Sequence, residues 1–167
     1  LGALEVTGAT VYPEGALAPF YAASLGQTIT LADLYGIAAA LTAKYRNDGY
    51  ILTQVVVPPQ TIDGGTARLQ VVEGFIDKVS IEGPQSQGAD LIRIYASRTR
   101  TGAPLNVREL ERALLLVNDL PGVSARGVLA PSASTPGAAD LTVVVERDPW
   151  DGLVAADTYG SRYLGPV

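Results

Sequence analysis

The sequence predicts an α+β protein in which one unit, ordered strand, helix, helix, strand, strand, occurs twice in tandem. The first observation is a stretch at residues 41–76 that reads as the end of a helix followed by two strands with a turn between them. The second is that this order returns 72 to 75 residues later, where Gly122 corresponds to Gly49 and Pro131 to Pro58. The third is a composition of 47% hydrophobic and 17% charged residues, which is typical of globular chains.

The first copy is predicted to open with a strand at residues 4–12 that ends at Pro13, followed by a short Ala-rich helix at residues 16–25. Thr30 and Asp33 then have the spacing of a capping box, which predicts the start of a longer helix.

Apolar residues in this longer helix recur every three or four positions, which predicts one stripe facing a sheet: Leu34, Ile37, Leu41 and Tyr45. The helix is expected to run to about Arg46, because Gly49 stands where a helix end needs a residue that tolerates a left-handed backbone.

Two strands complete the first copy. Residues 50–57 are rich in β-branched side chains, and Pro58 and Pro59 end this strand because proline has no N–H to donate to a ladder. Residues 63–65 form a turn, and residues 66–73 return as a strand antiparallel to the first.

The second copy repeats the order with weaker signals. Its core stripe on the long helix is Leu110, Ala113, Leu114 and Val117, and Asn106 with Glu109 forms the capping pair before it. Its other elements are predicted as a strand at 76–82, a short helix at 90–97, strands at 123–130 and 139–147, and a Ser-, Pro- and Gly-rich loop at 131–137 that nothing stiffens.

These patterns divide the chain into a first domain at residues 1–74, a second at 75–147, and a tail at 148–167. Little linker separates the two domains at Gly74, so a restricted relative orientation is expected.

Several residue types are absent from the chain, and this excludes whole classes of chemistry. There is no His, Cys or Met, so histidine- and cysteine-based nucleophile systems and metal sites are excluded, and we expect no catalytic residue, no metal and no cofactor. A net charge of -5 gives no footprint for phosphate backbones, so no nucleic acid partner is expected. No apolar run reaches the length of a membrane-spanning helix, and no signal peptide is recognisable.

Glu73 with Gly74 marks the end of a strand and a bend rather than a catalytic carboxylate, because its spacing places no second carboxylate beside it.

The run YRNDGYILTQVVVPPQ, with the following GG turn and VVEGFI, resembles the first polypeptide-transport-associated (POTRA) domain of two-partner secretion transporters, the family of haemolysin and filamentous-adhesin exporters. The second copy resembles the family's second such domain more loosely. DTYGSRYLG in the tail resembles the first strand of the family's outer-membrane β-barrel, although Thr158 stands where that pattern has Asn. The resemblance implies two POTRA domains, each a three-stranded mixed sheet covered by two helices.

The resemblance also implies a role without enzymatic activity. The chain would act as a monomer at the periplasmic face of the outer membrane of a Gram-negative bacterium. Its partners would be the N-terminal secretion domain of an unfolded secreted exoprotein and the chain's own C-terminal β-barrel. The alternative is a pair of receptor domains from a general outer-membrane protein assembly factor, which would use the same unit in longer arrays.

Client capture is expected by strand addition at an edge of the first sheet. The family's strand order places residues 50–57 at that edge, and their outer face is taken to be Ile51, Thr53, Val55 and Val57, with Tyr45 and Tyr50 adjoining. The competing interpretation is that Tyr50, Leu52 and Val56 only form core, since alternation turns half of any strand inward. Arg98 and Arg100 are candidates for contact with the barrel, against the plainer interpretation of a solvated charged surface.

Overall fold

A computed structural model describes residues 1–13, 15–62, 64–83, 104–120 and 122–147. Within these ranges the chain forms two mixed three-stranded sheets, each with its own hydrophobic core, which confirms the predicted α+β class. The predicted short helix at 90–97, the tail at 148–167, and the candidates Arg98 and Arg100 lie outside the described residues.

The first sheet has the order β1-β3-β2, so β3 is central. Strand β3 is parallel to β1 and antiparallel to β2, so the sheet is mixed. The elements of this half are β1 (Ala3–Thr7), α1 (Leu31–Asn47), β2 (Gln54–Val56) and β3 (Thr66–Val72).

Helix α1 forms as the sequence predicts. The Thr30 hydroxyl accepts the Asp33 amide while the Asp33 carboxylate accepts the Thr30 amide, which completes the capping box. Gly49 has φ of +100° just after the helix. The whole predicted stripe is buried against the sheet: Leu34, Ile37, Leu41 and Tyr45.

Two predictions for the start of the chain are wrong. The first strand ends at Thr7 rather than Tyr12, because Gly8 turns the backbone into the left-handed region at φ +79°. The predicted helix at 16–25 is replaced by two single-turn 3-10 helices, Ala18–Phe20 and Ala22–Ser24. An isolated segment this short gains little from α-helical hydrogen bonding, and it buries none of the residues in these two turns.

The predicted strand at 50–57 is shortened to Gln54–Val56. Residues 50–52 instead form a turn, in which the Tyr50 amide donates to the Tyr45 carbonyl at 2.9 Å and the Thr53 amide donates to the Tyr50 carbonyl at 3.1 Å. The turn that follows α1 therefore extends over residues 50–52, where β propensity alone predicts a strand.

The second sheet repeats the topology with the order β4-β6-β5. The Asn106 side chain caps its helix by accepting the Arg108 amide at 3.0 Å. Leu110 and Val117 of that helix are buried, and Leu114 packs partly buried against the same core. The elements are β4 (Ile76–Glu82), α2 (Val107–Asn118), β5 (Val123–Pro131) and β6 (Ala139–Arg147).

Gly8 and Gly83, which the repeat aligns, have the same structural role. Each follows the first strand of its sheet with positive φ, +79° and +129°. A Cβ would lie 2.4 Å from the Val71 carbonyl oxygen at Gly8 and 2.1 Å from the Val145 carbonyl oxygen at Gly83. Only glycine lets the chain leave its edge strand this close to the central strand.

The loop at 131–137 is held by Asp77, contrary to the expectation that nothing stiffens it. The Asp77 carboxylate accepts hydroxyl hydrogen bonds from Ser132 at 3.0 Å, Ser134 at 2.9 Å and Thr135 at 3.0 Å. These bonds lower the pKa of Asp77. The loop is thereby tied to the second residue of β4.

We expect Gly8→Ala to lower the free energy of unfolding by about 2 kcal/mol or more, since it combines backbone strain with a clash against backbone. Gly15→Ala is the matched control, because Gly15 has nearly the same φ of +81° but nothing within 4 Å of the added Cβ. Urea unfolding followed by circular dichroism measures both. Equal losses in the two variants would contradict the role given to close approach.

Candidate functional site

The predicted edge position of β2 is confirmed, since β3 lies between β1 and β2. Only three residues of β2 pair with β3, with Gln54 opposite Val72, Val55 opposite Val71 and Val56 opposite Gln70. The edge is therefore short, and its surroundings determine what can bind there.

The predicted outer face of this edge is wrong for two of its four residues. Thr53 is only 1% exposed and Val55 only 6% exposed, and Val55 belongs to the first core. The turn at residues 50–52 changes the phase of the alternation, so that Gln54 is exposed and Val56 is half-buried instead.

The remaining candidates are divided between surface and core. Ile51 is 39% exposed, whereas Tyr50 and Val57 are partly buried against the first core. Tyr45 is fully buried in that core. Ile51 is thus the most exposed of these candidates in relative terms.

The outward amide of β2 already has an acceptor. The Val55 N–H donates to the Thr42 hydroxyl at 3.0 Å, and that hydroxyl donates to the Ala38 carbonyl at 2.9 Å. Thr42 lies on α1, so the helix covers part of the hydrogen-bonding edge.

Behind the edge, a hydrogen-bonded group around Glu73 joins three segments of the first half. The Tyr45 hydroxyl donates to the Glu73 carboxylate at 2.9 Å. The amides of Thr10 and Val11 donate to the same carboxylate at 2.8 and 3.0 Å, and the Thr10 hydroxyl also donates to it. Burial acts to raise the pKa of Glu73, but these hydrogen bonds outweigh it and lower the pKa.

Aromatic rings continue this group toward the end of α1. The rings of Tyr12 and Tyr45 meet edge to face with centroids 4.8 Å apart, and Tyr50 packs on the other side at 6.1 Å. The Tyr12 hydroxyl donates to Asp48, which also pairs with Lys44. Burial and the neighbouring carboxylates raise the pKa of Tyr12 and Tyr45, so both phenols stay neutral donors.

The sequence interpretation missed this group. A buried Tyr45 in a helix stripe does signal that its hydroxyl needs an acceptor. The identity of that acceptor depends on the parallel pairing of β1 with β3, which brings residues 10 and 73 together.

The helix exit also contacts the second half of the chain. The Val107 amide donates to the Gly49 carbonyl at 2.8 Å, and the Asn106 side-chain amide donates to the Asp48 carbonyl at 3.2 Å. Leu52 packs against the core of the second sheet. The turn that leads into β2 is thus held from both sides.

In the part of the chain that the structure describes, His, Cys, Asp and Glu side chains form no group of three or more that could hold a metal ion. None of the helices described there has both the length and the apolar character needed to cross a membrane.

The two mixed three-stranded sheets with their helices match the fold of POTRA domains. Residues 1–74 match the family model described as POTRA domain, ShlB-type. Residues 1–74 belong to this family, and the chain is related to the outer-membrane transporters of two-partner secretion. It is 26% identical over 143 residues to the heme/hemopexin transporter protein HuxB of Haemophilus influenzae, covering 84% of this chain and 25% of that protein. It is 30% identical over 133 residues to the outer membrane transporter CdiB-2 of Burkholderia pseudomallei, covering 79% and 21% respectively.

Solved structures share the fold. CdiB from Escherichia coli superposes with a TM-score of 0.76 at 21% identity, over 89% of this chain and 27% of that one. The N-terminal domain of Omp85 from the cyanobacterium Thermosynechococcus elongatus superposes with a TM-score of 0.72 at 26% identity, over 89% and 66%. The chain spans about a quarter or less of the length of the curated relatives described above.

We expect Glu73→Ala to lower the free energy of unfolding by about 2 kcal/mol near neutral pH, because it leaves the buried Tyr45 hydroxyl without its acceptor. Since the folded pKa of Glu73 is lowered, its contribution is present above the ordinary value of 4.5 and is lost as the pH falls through the folded pKa. The difference between wild type and variant should therefore shrink in acid.

Glu5→Ala is the control for that experiment, because Glu5 pairs with Arg68 on the surface and its loss should cost about 1 kcal/mol or less. Urea unfolding at several pH values measures both variants. A loss for Glu73→Ala that does not change with pH would contradict the ionised state assigned to this carboxyl.

Proposed function

We propose that this chain is the periplasmic recognition part of an outer-membrane two-partner secretion transporter and captures an unfolded exoprotein by strand addition. In this proposal residues 1–74 and 75–147 are two POTRA domains, and residues 148–167 begin the β-barrel that exports the client. The relatives named as outer-membrane transporters support this location in a Gram-negative envelope. They also support a role in transport rather than catalysis.

The observation that carries the proposal is the edge position of the short strand β2 in the first sheet, where Gln54 is exposed and Val56 half-buried. An extended client satisfies the outward backbone groups of such an edge while alternate side chains contact its neighbours. A client carbonyl that bonds to the Val55 amide replaces the Thr42 hydroxyl there. The exchange keeps the amide paired throughout, so no buried donor is left unsatisfied.

The burial pattern gives the candidate residues two kinds of role. Ile51 and Val57 offer apolar surface beside the edge, together with Val56. Tyr45, Tyr50, Thr53 and Val55 act from inside, where they fix the position of the edge strand. Substitutions in the two sets therefore have different readouts, affinity for the first and stability for the second.

The proposal is tested by an isotope-edited NMR titration of this chain with the N-terminal secretion domain of its exoprotein. Shifts confined to residues 50–57 and the adjoining helix α1 would support strand addition at the first sheet. No shift at any client concentration would overturn it.

Ile51→Asp should weaken binding of this secretion domain about tenfold, because it removes an apolar contact and places a charge beside the edge. Val128→Asp is the matched control, since Val128 is a similarly exposed apolar residue, at 46%, on the second sheet. Isothermal titration calorimetry measures both. Equal weakening in the two variants would contradict a site at the first sheet.

A second candidate function is that of receptor domains in a general outer-membrane protein assembly factor. The similarity to the Omp85 N-terminal domain favours it. Such a receptor would bind many unrelated unfolded barrel proteins. Competition between the exoprotein domain and an unfolded porin at the same residues distinguishes the two candidates.

A further inference from the structure

The central strand β3 is only partly covered on the side of β2. Only three of its seven residues, Gln70, Val71 and Val72, pair with β2. If β2 continued in the same register, Pro58 would lie opposite Arg68. Proline has no N–H, so it cannot form the pair of hydrogen bonds that this position requires.

The side chain of Gln60 takes the place of the missing strand. Its amide nitrogen donates to the Arg68 carbonyl at 2.8 Å, and its amide oxygen accepts the Arg68 N–H at 2.7 Å. A primary amide offers the same donor and acceptor pair as a peptide group. Gln60 therefore shows which ligand this stretch of β3 accepts, namely the backbone of an extended peptide.

A small apolar cavity lies beside this stretch, on the face of the sheet that α1 covers. It has a volume of about 140 Å³, and its lining includes Ala67 of β3, Leu31 and Leu34 of α1, and Ile62 and Gly65 of the connecting loop. Leu1, Ile29 and Thr30 complete the lining. Leu31 is 59% exposed and Ile62 50% exposed, so the rim of the cavity is apolar and open. In a client strand paired with β3 at Arg68, the residues before and after the one opposite Arg68 would point their side chains toward this face.

We propose that Gln60 is a displaceable stand-in for the client, which pairs with β3 at Arg68 and inserts an aliphatic side chain into the cavity. This rests on the proposed function and locates part of its binding site on β3 rather than on β2 alone. The two hydrogen bonds of Gln60 are exposed to solvent, so local opening of the segment at residues 58–62 is enough to release them.

The test compares the wild-type chain with Gln60→Ala, using the N-terminal secretion domain of the exoprotein as the probe. Removing the competing amide should tighten binding of the probe about fivefold, because the probe no longer has to displace the two hydrogen bonds that Gln60 makes to Arg68. Amide exchange at Arg68 should be faster in the free variant and become slow when the probe is added. Gln70→Ala is the control, since it removes an exposed amide from the same strand and should leave both readouts unchanged.

Gln60→Glu provides a second variant with the loop length and shape preserved. It keeps an acceptor for the Arg68 N–H but has no donor for the Arg68 carbonyl. It should therefore tighten probe binding in the same direction as Gln60→Ala. Unfolding midpoints of both variants, measured without probe, establish that they are folded.

The remaining outcomes separate this inference from the proposed function. If the probe shifts residues 50–57 of the wild type while Arg68 is unaffected and Gln60→Ala binds equally well, the stand-in role is overturned and the proposed function is kept. Weaker binding by a folded Gln60→Ala would show that Gln60 contacts the client and would also overturn the role. If no variant binds the probe, both proposals fail. A concentration-dependent dimer of Gln60→Ala would mean that a second copy takes this edge, which overturns the client assignment.

Discussion

The backbone hydrogen bonds of the central strand β3 are the constraint on which the first sheet depends. Ladder groups on one side are satisfied by parallel pairing with β1 and on the other by antiparallel pairing with β2. Where β2 stops, the Gln60 amide satisfies Arg68. Because buried backbone groups without partners are costly, β3 lies at the centre of the sheet, where both flanking strands supply partners, while Gln60 completes the pairing at a solvent-exposed position.

Local signals in the sequence were sufficient for the parts of the fold that depend on local chemistry. The capping box of Thr30 and Asp33, the stripe ending at Tyr45 and the left-handed Gly49 all follow from residues close to one another in the chain. The outward face of β2 did not, because its phase is set by the turn at residues 50–52. That turn is packed against both cores, through Tyr50 on one side and Leu52 on the other, and no pattern within the strand shows this.

The hydrogen bonds of Glu73 illustrate the same limit for the candidate site. The sequence favoured a structural role for this residue at the end of a strand, and in the structure its carboxylate accepts from Thr10, Val11 and Tyr45. These partners lie 63, 62 and 28 residues away in the chain, respectively. A contact of this kind follows only from the strand order, which the family resemblance implied but the residues near Glu73 did not.

The two halves of the chain differ in how the strand next to the central one ends, before Pro58 in the first half and at Pro131 in the second. In the second sheet, all nine residues of β5 pair with β6, and Pro131 lies opposite Ala139. The Ala139 N–H donates to the Phe75 carbonyl, on the side of β6 that faces away from β5. Pro131 therefore stands where the ladder needs no donor from β5, and proline is tolerated there. The equivalent Pro58 would face Arg68, whose N–H and C=O point toward it, and the ladder must break there. Proline thus ends a fully paired edge strand in the second sheet but interrupts the pairing in the first. This difference is why we assign client pairing to the first half of the chain.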